Sequence, residues 1–323
     1  GNGGLPVGGE SQINVVVRDS YLPGVPILVR VELLGLDGRV DRDVWDAVAT
    51  LSVVDNPAVE LSTDRCTLYN GLGSAFVTVT GRGDFTLTVG LGDAQTRVFL
   101  ADLSDAPVNV ISGTLDNSER WSGVYHITGG DFTIPAGGTL TLSPGTLILI
   151  DGVSSGSDGT DIDVQGTIQS LGTADSPVTF TALRPGENWG EFHFVDAAPS
   201  MFWYTNITQA GHSPSVGHSH SGPTVRVSNA SLFFDHACLT DNAGKIMDAK
   251  SGTDLIFRRS LLARSVMGPE ITGTALAFED SWITEMAASD DADGIYIHDQ
   301  LADQQCRLVR SVVAVVDDDG IDT

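Results

Sequence analysis

Asp290-Asp291-Ala292-Asp293-Gly294-Ile295 and Asp317-Asp318-Asp319-Gly320-Ile321-Asp322 gather seven carboxylates into two short runs, with their Gly-Ile pairs 26 residues apart. If the runs lie one structural repeat apart they stack, and carboxylates a few ångströms from one another cannot all stay ionised and unpaired. Three arrangements answer that repulsion: a bound divalent cation, an outward array diluted by solvent, or a carboxyl pair with split pKa values fit for acid–base work. Hard oxygen donors in D-x-D-G turns suit Ca²⁺. On that reading Asp290, Asp291, Asp293, Asp317, Asp318, Asp319 and Asp322 are the candidate metal ligands. The distal glutamate of an EF-hand loop is missing, so the pattern is not that motif. His212, His218 and His220 form a second group between Gly211 and Pro223. H-x-H spacing can bind Zn²⁺ or Cu²⁺, but no cysteine or paired glutamate beside it completes a tetrahedral set. These histidines therefore read as exposed side chains of a long loop.

The elements that must position the carboxylates are visible as an internal repeat. Phe234-Asp235-His236-Ala237-Cys238-Leu239-Thr240-Asp241 aligns with the eight residues from Phe257 to Arg264 and with the eight from Phe278 to Glu285, and more loosely with Leu308 to Val315. The small residue of each copy falls at Asn206, Ala237, Ser260, Ser281 and Ser311, giving steps of 31, 23, 21 and 30 residues. A coil of three short strands with its turns needs a little over twenty residues, so longer steps imply protruding loops. Coils stacked about 4.8 Å apart bring aligned side chains into ladders. Asp235, Arg258 and Glu279 then alternate in sign down one column, and Asp241, Arg264 and Glu285 down another, with Arg259, Asp280 and Arg310 in the next. Such alternation favours one register over a slip by about 0.2–1 kcal/mol per pair.

Residues 12 to 103 have a different rhythm. Ile13 to Val17, Ile27 to Leu34, Ala47 to Val54, Ser74 to Val79, Phe85 to Val89 and Thr96 to Leu100 are β-branched or alternating runs punctuated by Pro, Gly, Asn and Asp. Six or seven short strands in about ninety residues are the signature of an antiparallel sandwich. Trp45, ahead of an alternating strand, reads as a core anchor in preference to an exposed platform for a sugar. The segment Ser104 to Val108 reads as a linker between domains at 1–105 and 106–323.

Two resemblances sharpen these readings. Tyr21-Leu22-Pro23-Gly24-Val25-Pro26, Asp37-Gly38 and Asn70-Gly71-Leu72-Gly73-Ser74-Ala75 resemble the bacterial immunoglobulin-like domains of secreted proteins. Pro135-Ala136-Gly137-Gly138-Thr139-Leu140-Thr141-Leu142, then Val164-Gln165-Gly166-Thr167-Ile168, then Trp189-Gly190-Glu191-Phe192-His193-Phe194, resemble the right-handed parallel β-helix of bacterial surface and secreted proteins, the pectate-lyase-like superfamily. The resemblance implies an all-β chain: an immunoglobulin-like sandwich followed by a β-helical solenoid. Because the sequence stops in mid-repeat at Thr323, the solenoid is expected to continue beyond it or to pack on another chain. Similarity to β-helical polysaccharide hydrolases, whose D-G-I-D and D-D turns carry catalytic aspartates, implies Asp293, Asp318 and Asp319 as catalytic carboxylates, with His298 and Arg307 as partners. The Asn-Thr prefix of those enzymes is missing before Asp293, and their downstream G-H-G and R-x-K motifs are absent.

Composition narrows the remaining choices. The 323 residues hold 42 Asp plus Glu against 17 Lys plus Arg, a net charge of −25, which excludes tracking along a phosphate backbone and hence nucleic acid. Only two of the cations are lysines, Lys245 and Lys250. A hydrophobic content of 41% is too high for a disordered acidic chain. Three distant cysteines in no metal-binding spacing read as small core residues, and no apolar run reaches membrane-spanning length. No G-x-S-x-G elbow, P-loop or dinucleotide fingerprint occurs. The expectation is a secreted or cell-surface scaffold, stabilised by divalent cations, that binds glycans or anionic polysaccharide or builds an assembly; the rival is a polysaccharide hydrolase or lyase.

Overall fold

A computed structural model describes residues 12–155, 158–289 and 291–323. The described residues are almost entirely β, with one short 3₁₀ turn at His218–His220 and no helix long and apolar enough to cross a membrane. The chain forms two compact units, the first running to Ala106 and including Ala174–Ser176, the second comprising the rest.

In the first unit the described strands hydrogen-bond along one continuous path, except that Glu60–Leu61 pairs off it with Leu72–Thr80. Pro26–Leu34 pairs antiparallel with Gln12–Val16 and Leu72–Thr80, and Asp46–Val53 pairs with Arg65–Tyr69 and Phe85–Leu91. Ser20–Tyr21 runs parallel to the end of Ala94–Asp102. Alternating side chains such as Val29, Val31, Leu51, Leu68, Val77, Phe85 and Leu87 close around one core. Trp45 is not part of it. Its strand begins only at Asp46, so the inward alternation of Ala49 and Leu51 does not reach back to it. The indole is 55% exposed and leans on Tyr69, with ring centroids 6.2 Å apart.

The second unit consists of coils that each contribute one strand to three parallel ladders, consistent with a β-helix. The first face stacks Glu119–Trp121, Thr139–Leu142, Thr167–Leu171, Ser200–Trp203, Ser231–Asp235, Asp254–Arg258, Ala275–Glu279 and Cys306–Val309. The second and third faces diverge from the long strand Val124–Ile134, which pairs on one side with Val108–Thr114 and on the other sends its two halves into separate stacks that end at Val312–Val316 and Ile321–Asp322. Inward positions fill the coils with aliphatic and aromatic side chains. Phe202, Phe234, Phe257 and Phe278 form a buried ring stack with centroid spacings of 4.9, 4.6 and 4.7 Å. Those spacings match the coil rise, so each phenylalanine packs on its counterpart.

A hydroxyl ladder marks the bend between first and second faces. Ser260, Ser281 and Ser311 each donate to a carbonyl two residues back and accept the amide of the preceding coil at 3.1–3.2 Å. The column continues upward through Ala237 to Thr205, not to Asn206: the register pairs Asn206 with Cys238. Thr205 makes the same hydroxyl bond back to Trp203, which fixes the frame one residue earlier than the sequence spacing suggested.

The charged columns are in register as expected. Asp235 pairs with Arg258 and Arg258 with Glu279 along the backbone ladders. Arg264 bridges Asp241 at 2.8 Å and Glu285 at 3.2 Å, and Arg310 holds Asp280 at 2.7 Å. Replacing Arg264 with methionine leaves two half-buried carboxylates facing each other. The expected cost is about 1–2 kcal/mol in chemical denaturation, shrinking at high salt; a midpoint equal to wild type would show that the ladder adds no stability.

Candidate functional site

The acidic runs fall in the turns between second and third faces on the last two coils. Ile295 pairs with Ile321, which sets Asp293-Gly294 directly on Asp319-Gly320. The Gly294 amide donates to the Asp319 carbonyl at 2.9 Å, and the Asp319 amide donates to Asp293 Oδ1 at 3.2 Å. No side chain fits between these turns: a Cβ on Gly294 would lie 2.5 Å from the Gly320 carbonyl oxygen. Glycine here is what lets the two carboxylate turns approach.

One oxygen from each of Asp293, Asp318 and Asp319 lies within 4.8 Å of the others. Asp293 is the buried member, 1% exposed, and its Oδ2 has no hydrogen-bond partner. Burial, reinforced by the negative Asp318 and Asp322, pushes its carboxyl above the usual aspartate range. Asp317 is exposed and belongs to neither of the convergent donor groups among the described residues; Asp290 lies outside them.

The loop between Gly211 and Gly222 brings in a residue the sequence assigned elsewhere. It leaves the coil after Thr205–Thr208 and passes over two intervening turns. His218 thereby reaches the acidic turn, with Nε2 2.9 Å from Asp291 Oδ1 and 3.7 Å from Asp293 Oδ2. His218, Asp293 and Asp322 also converge to within 4.8 Å. The imidazole stacks on Tyr296 at 4.3 Å, and Tyr296 stacks on His298 at 4.9 Å. His218 is thus not a free loop histidine. The sequence signal was the surplus length of that coil; what it could not show was where the surplus lands. His298 sits beyond Tyr296, its Nε2 2.9 Å from Thr272 Oγ1.

Two charged groups that sequence reasoning missed hold this strap. Lys245, fully buried, is bonded to Glu270 and to the His218 carbonyl, and donates to the Val216 carbonyl at 2.7 Å. Glu270 accepts the His218 amide at 2.9 Å. Burial pulls the Lys245 ammonium below its ordinary range, with the Glu270 carboxylate opposing the shift. Gly217, at φ +56°, lies against Glu270, where a Cβ would come within 2.1 Å of the carboxylate. At the other end, Glu191 meets Arg226 at 2.7 Å and the Ser213 hydroxyl at 3.2 Å, and Arg226 donates to the Pro214 carbonyl. Desolvation raises Glu191 from 4.5 to about 7 against the pull of Arg226, and raises neighbouring Asp161 from 3.8 to about 6.

Arg307 is not brought to this site. It projects from the first face, paired with Glu279, and lines a groove of about 560 Å³ with Met201, Phe233, Ile256, Asp254 and Gln305.

The fold and site define a class, an all-β protein with long parallel sheets and two stacked acidic turns near residue 320. No family model, curated protein or solved structure matches the chain.

Proposed function

We propose that the chain is a secreted or cell-surface scaffold, an immunoglobulin-like domain followed by a right-handed parallel β-helix of the pectate-lyase-like kind, whose acidic turns are cross-linked by a divalent cation such as Ca²⁺. The observation that carries the reading is Asp293 Oδ2, a buried carboxylate oxygen without a hydrogen bond, beside Asp318 and Asp319. A charged group so placed costs several kcal/mol unless a counter-charge meets it. A cation supplies that charge and joins two consecutive coils. The groove on the first face suits a glycan or anionic polysaccharide: an apolar floor at Met201, Phe233 and Ile256 for sugar C–H faces, with Asp254, Gln305 and Arg307 at its polar edge.

The hydrolase reading fits the geometry less well. Oxygens that converge within 4.8 Å are closer than the about 6.5–9.5 Å of inverting glycosidases and nearer the about 5–5.5 Å of retaining ones, but Arg307, the expected partner, faces the groove on the first face instead. After chelation, adding Ca²⁺ or another divalent ion is expected to raise the melting temperature by several degrees, with the metal retained on gel filtration. An unchanged melting temperature with no bound metal would overturn the cation reading. Release of reducing or unsaturated sugar from acidic polysaccharides, abolished by Asp318→Ala, would establish the enzyme instead.

A further inference from the structure

His218 changes the chemistry that the acidic turns offer. Ca²⁺ takes six to eight oxygens, whereas an imidazole nitrogen among carboxylates suits Zn²⁺ and its neighbours in the transition series. One ring nitrogen of His218 and one carboxylate oxygen each from Asp293 and Asp322 lie within 4.8 Å of one another. Donors around a tetrahedral Zn²⁺ sit about 3.3 Å apart, so modest side-chain rotations would close the set. The independent sign of a ligand is again Asp293. Its Oδ1 accepts the Asp319 amide, but Oδ2, buried and without a hydrogen bond, lies 3.7 Å from the imidazole Nε2, too far to be satisfied by it.

The imidazole is held in place before any ion arrives. Its backbone is fixed on both sides, amide to Glu270 and carbonyl to Lys245, and its ring is stacked on Tyr296. Ordering a 75-residue connection between His218 and Asp293 is therefore no part of the cost of binding. Preorganisation of this kind favours affinity.

We propose that His218, Asp293 and Asp322 form a mixed imidazole–carboxylate site for Zn²⁺, with Asp291 beside it, and that the ion clamps the 211–222 strap onto the last two coils. The inference rests on the cation reading and narrows it: the ion joins a distant loop to the solenoid as well as one turn to the next. Asp293 belongs to both donor groups, so the strap ligand decides which metal the turns prefer.

The test uses the full chain stripped with a chelator and titrated calorimetrically with Zn²⁺ alone or Ca²⁺ alone. One Zn²⁺ per chain is expected, bound at least about 100-fold more tightly than Ca²⁺. His218→Phe keeps a ring for Tyr296 but removes the donor; it is expected to weaken Zn²⁺ by about 100-fold and leave Ca²⁺ within about twofold. His220→Ala is expected to change neither. Zn²⁺ should also slow proteolysis within residues 211–222 in the wild type and not in His218→Phe. If His218→Phe fails to fold, Asp322→Asn, on the outermost strand, gives the same reading. Zn²⁺ affinity unchanged by loss of the imidazole overturns the proposal. Ca²⁺ binding that equals or exceeds Zn²⁺ and ignores His218 overturns it while supporting the cation reading, and binding of neither ion overturns both.

Discussion

Glu270→Ala is expected to destabilise the solenoid by about 3–5 kcal/mol, the cost of leaving one charge of a buried pair without its partner. Lys245 is fully enclosed, and its ammonium has the Glu270 carboxylate and two strap carbonyls as partners. Without Glu270 the ammonium must lose its proton or draw in water, and the His218 amide loses its acceptor. The double variant Lys245→Met, Glu270→Leu separates stability from docking. With neither charge present, most of the lost stability should return, because apolar side chains of similar size fill a buried pair's place at little cost. The strap would still lack its anchors, so proteolysis within residues 211–222 should be fast in the double variant even when its melting temperature is near wild type. A Glu270→Ala protein within about 1 kcal/mol of wild type would show that the pair is not the latch described here.

The coil repeat was legible because parallel stacking puts like on like. Phe234, Phe257 and Phe278 occupy the same place in successive copies of the repeat, and the structure stacks each ring within 5 Å of the next. The charged columns followed from the same alignment. The frame slipped only where identity gave out: Thr205 and Asn206 are both buried polar residues, and only the bend after Trp203 tells them apart. Trp45 misled because an indole beside an alternating strand looks like core, whereas the loop entering Asp46–Val53 turns it outward. In the acidic turns the D-G-I pairing was readable at a distance of one coil. The strap was not, because a loop's landing point depends on where Lys245 and Glu270 meet, two positions with no common motif. Lysine is nearly absent from the chain, yet one of its two copies is fully buried. That scarcity was the cue available in the sequence.

Stability is expected to fall as pH rises from about 5 to 8, and Glu191 should account for much of the slope. Its carboxyl is buried among Arg226, Ser213 and the neighbouring Asp161, which itself faces Asp131 and Asp163. Desolvation lifts Glu191 from 4.5 to about 7 in the folded state, and Asp161 from 3.8 to about 6. A carboxyl that holds its proton more firmly when folded stabilises fully below its unfolded pKa, and that stabilisation is lost as pH passes the folded value. The window is therefore about 4.5 to 7 for Glu191 and 3.8 to 6 for Asp161. The Asp161 carboxylate helps raise Glu191, so the two contributions do not simply add. For Glu191 alone the change is on the order of 3 kcal/mol, or about 6–12 °C in Tm for a unit of this size. Carboxylates held below their usual range, such as Asp151 and Asp235, act in the opposite sense, but only as pH falls through 3.8 and lower. The informative quantity is the difference between wild type and Glu191→Gln. The amide still offers an acceptor to Arg226 and Ser213 without a charge to desolvate. Glu191→Gln is expected to match wild type at pH 5, exceed it at pH 8 and flatten the curve between. If Glu191→Gln instead melts below wild type at pH 8, the ion pair with Arg226 outweighs desolvation, and the upper end of the strap is held by charge rather than by a shared proton.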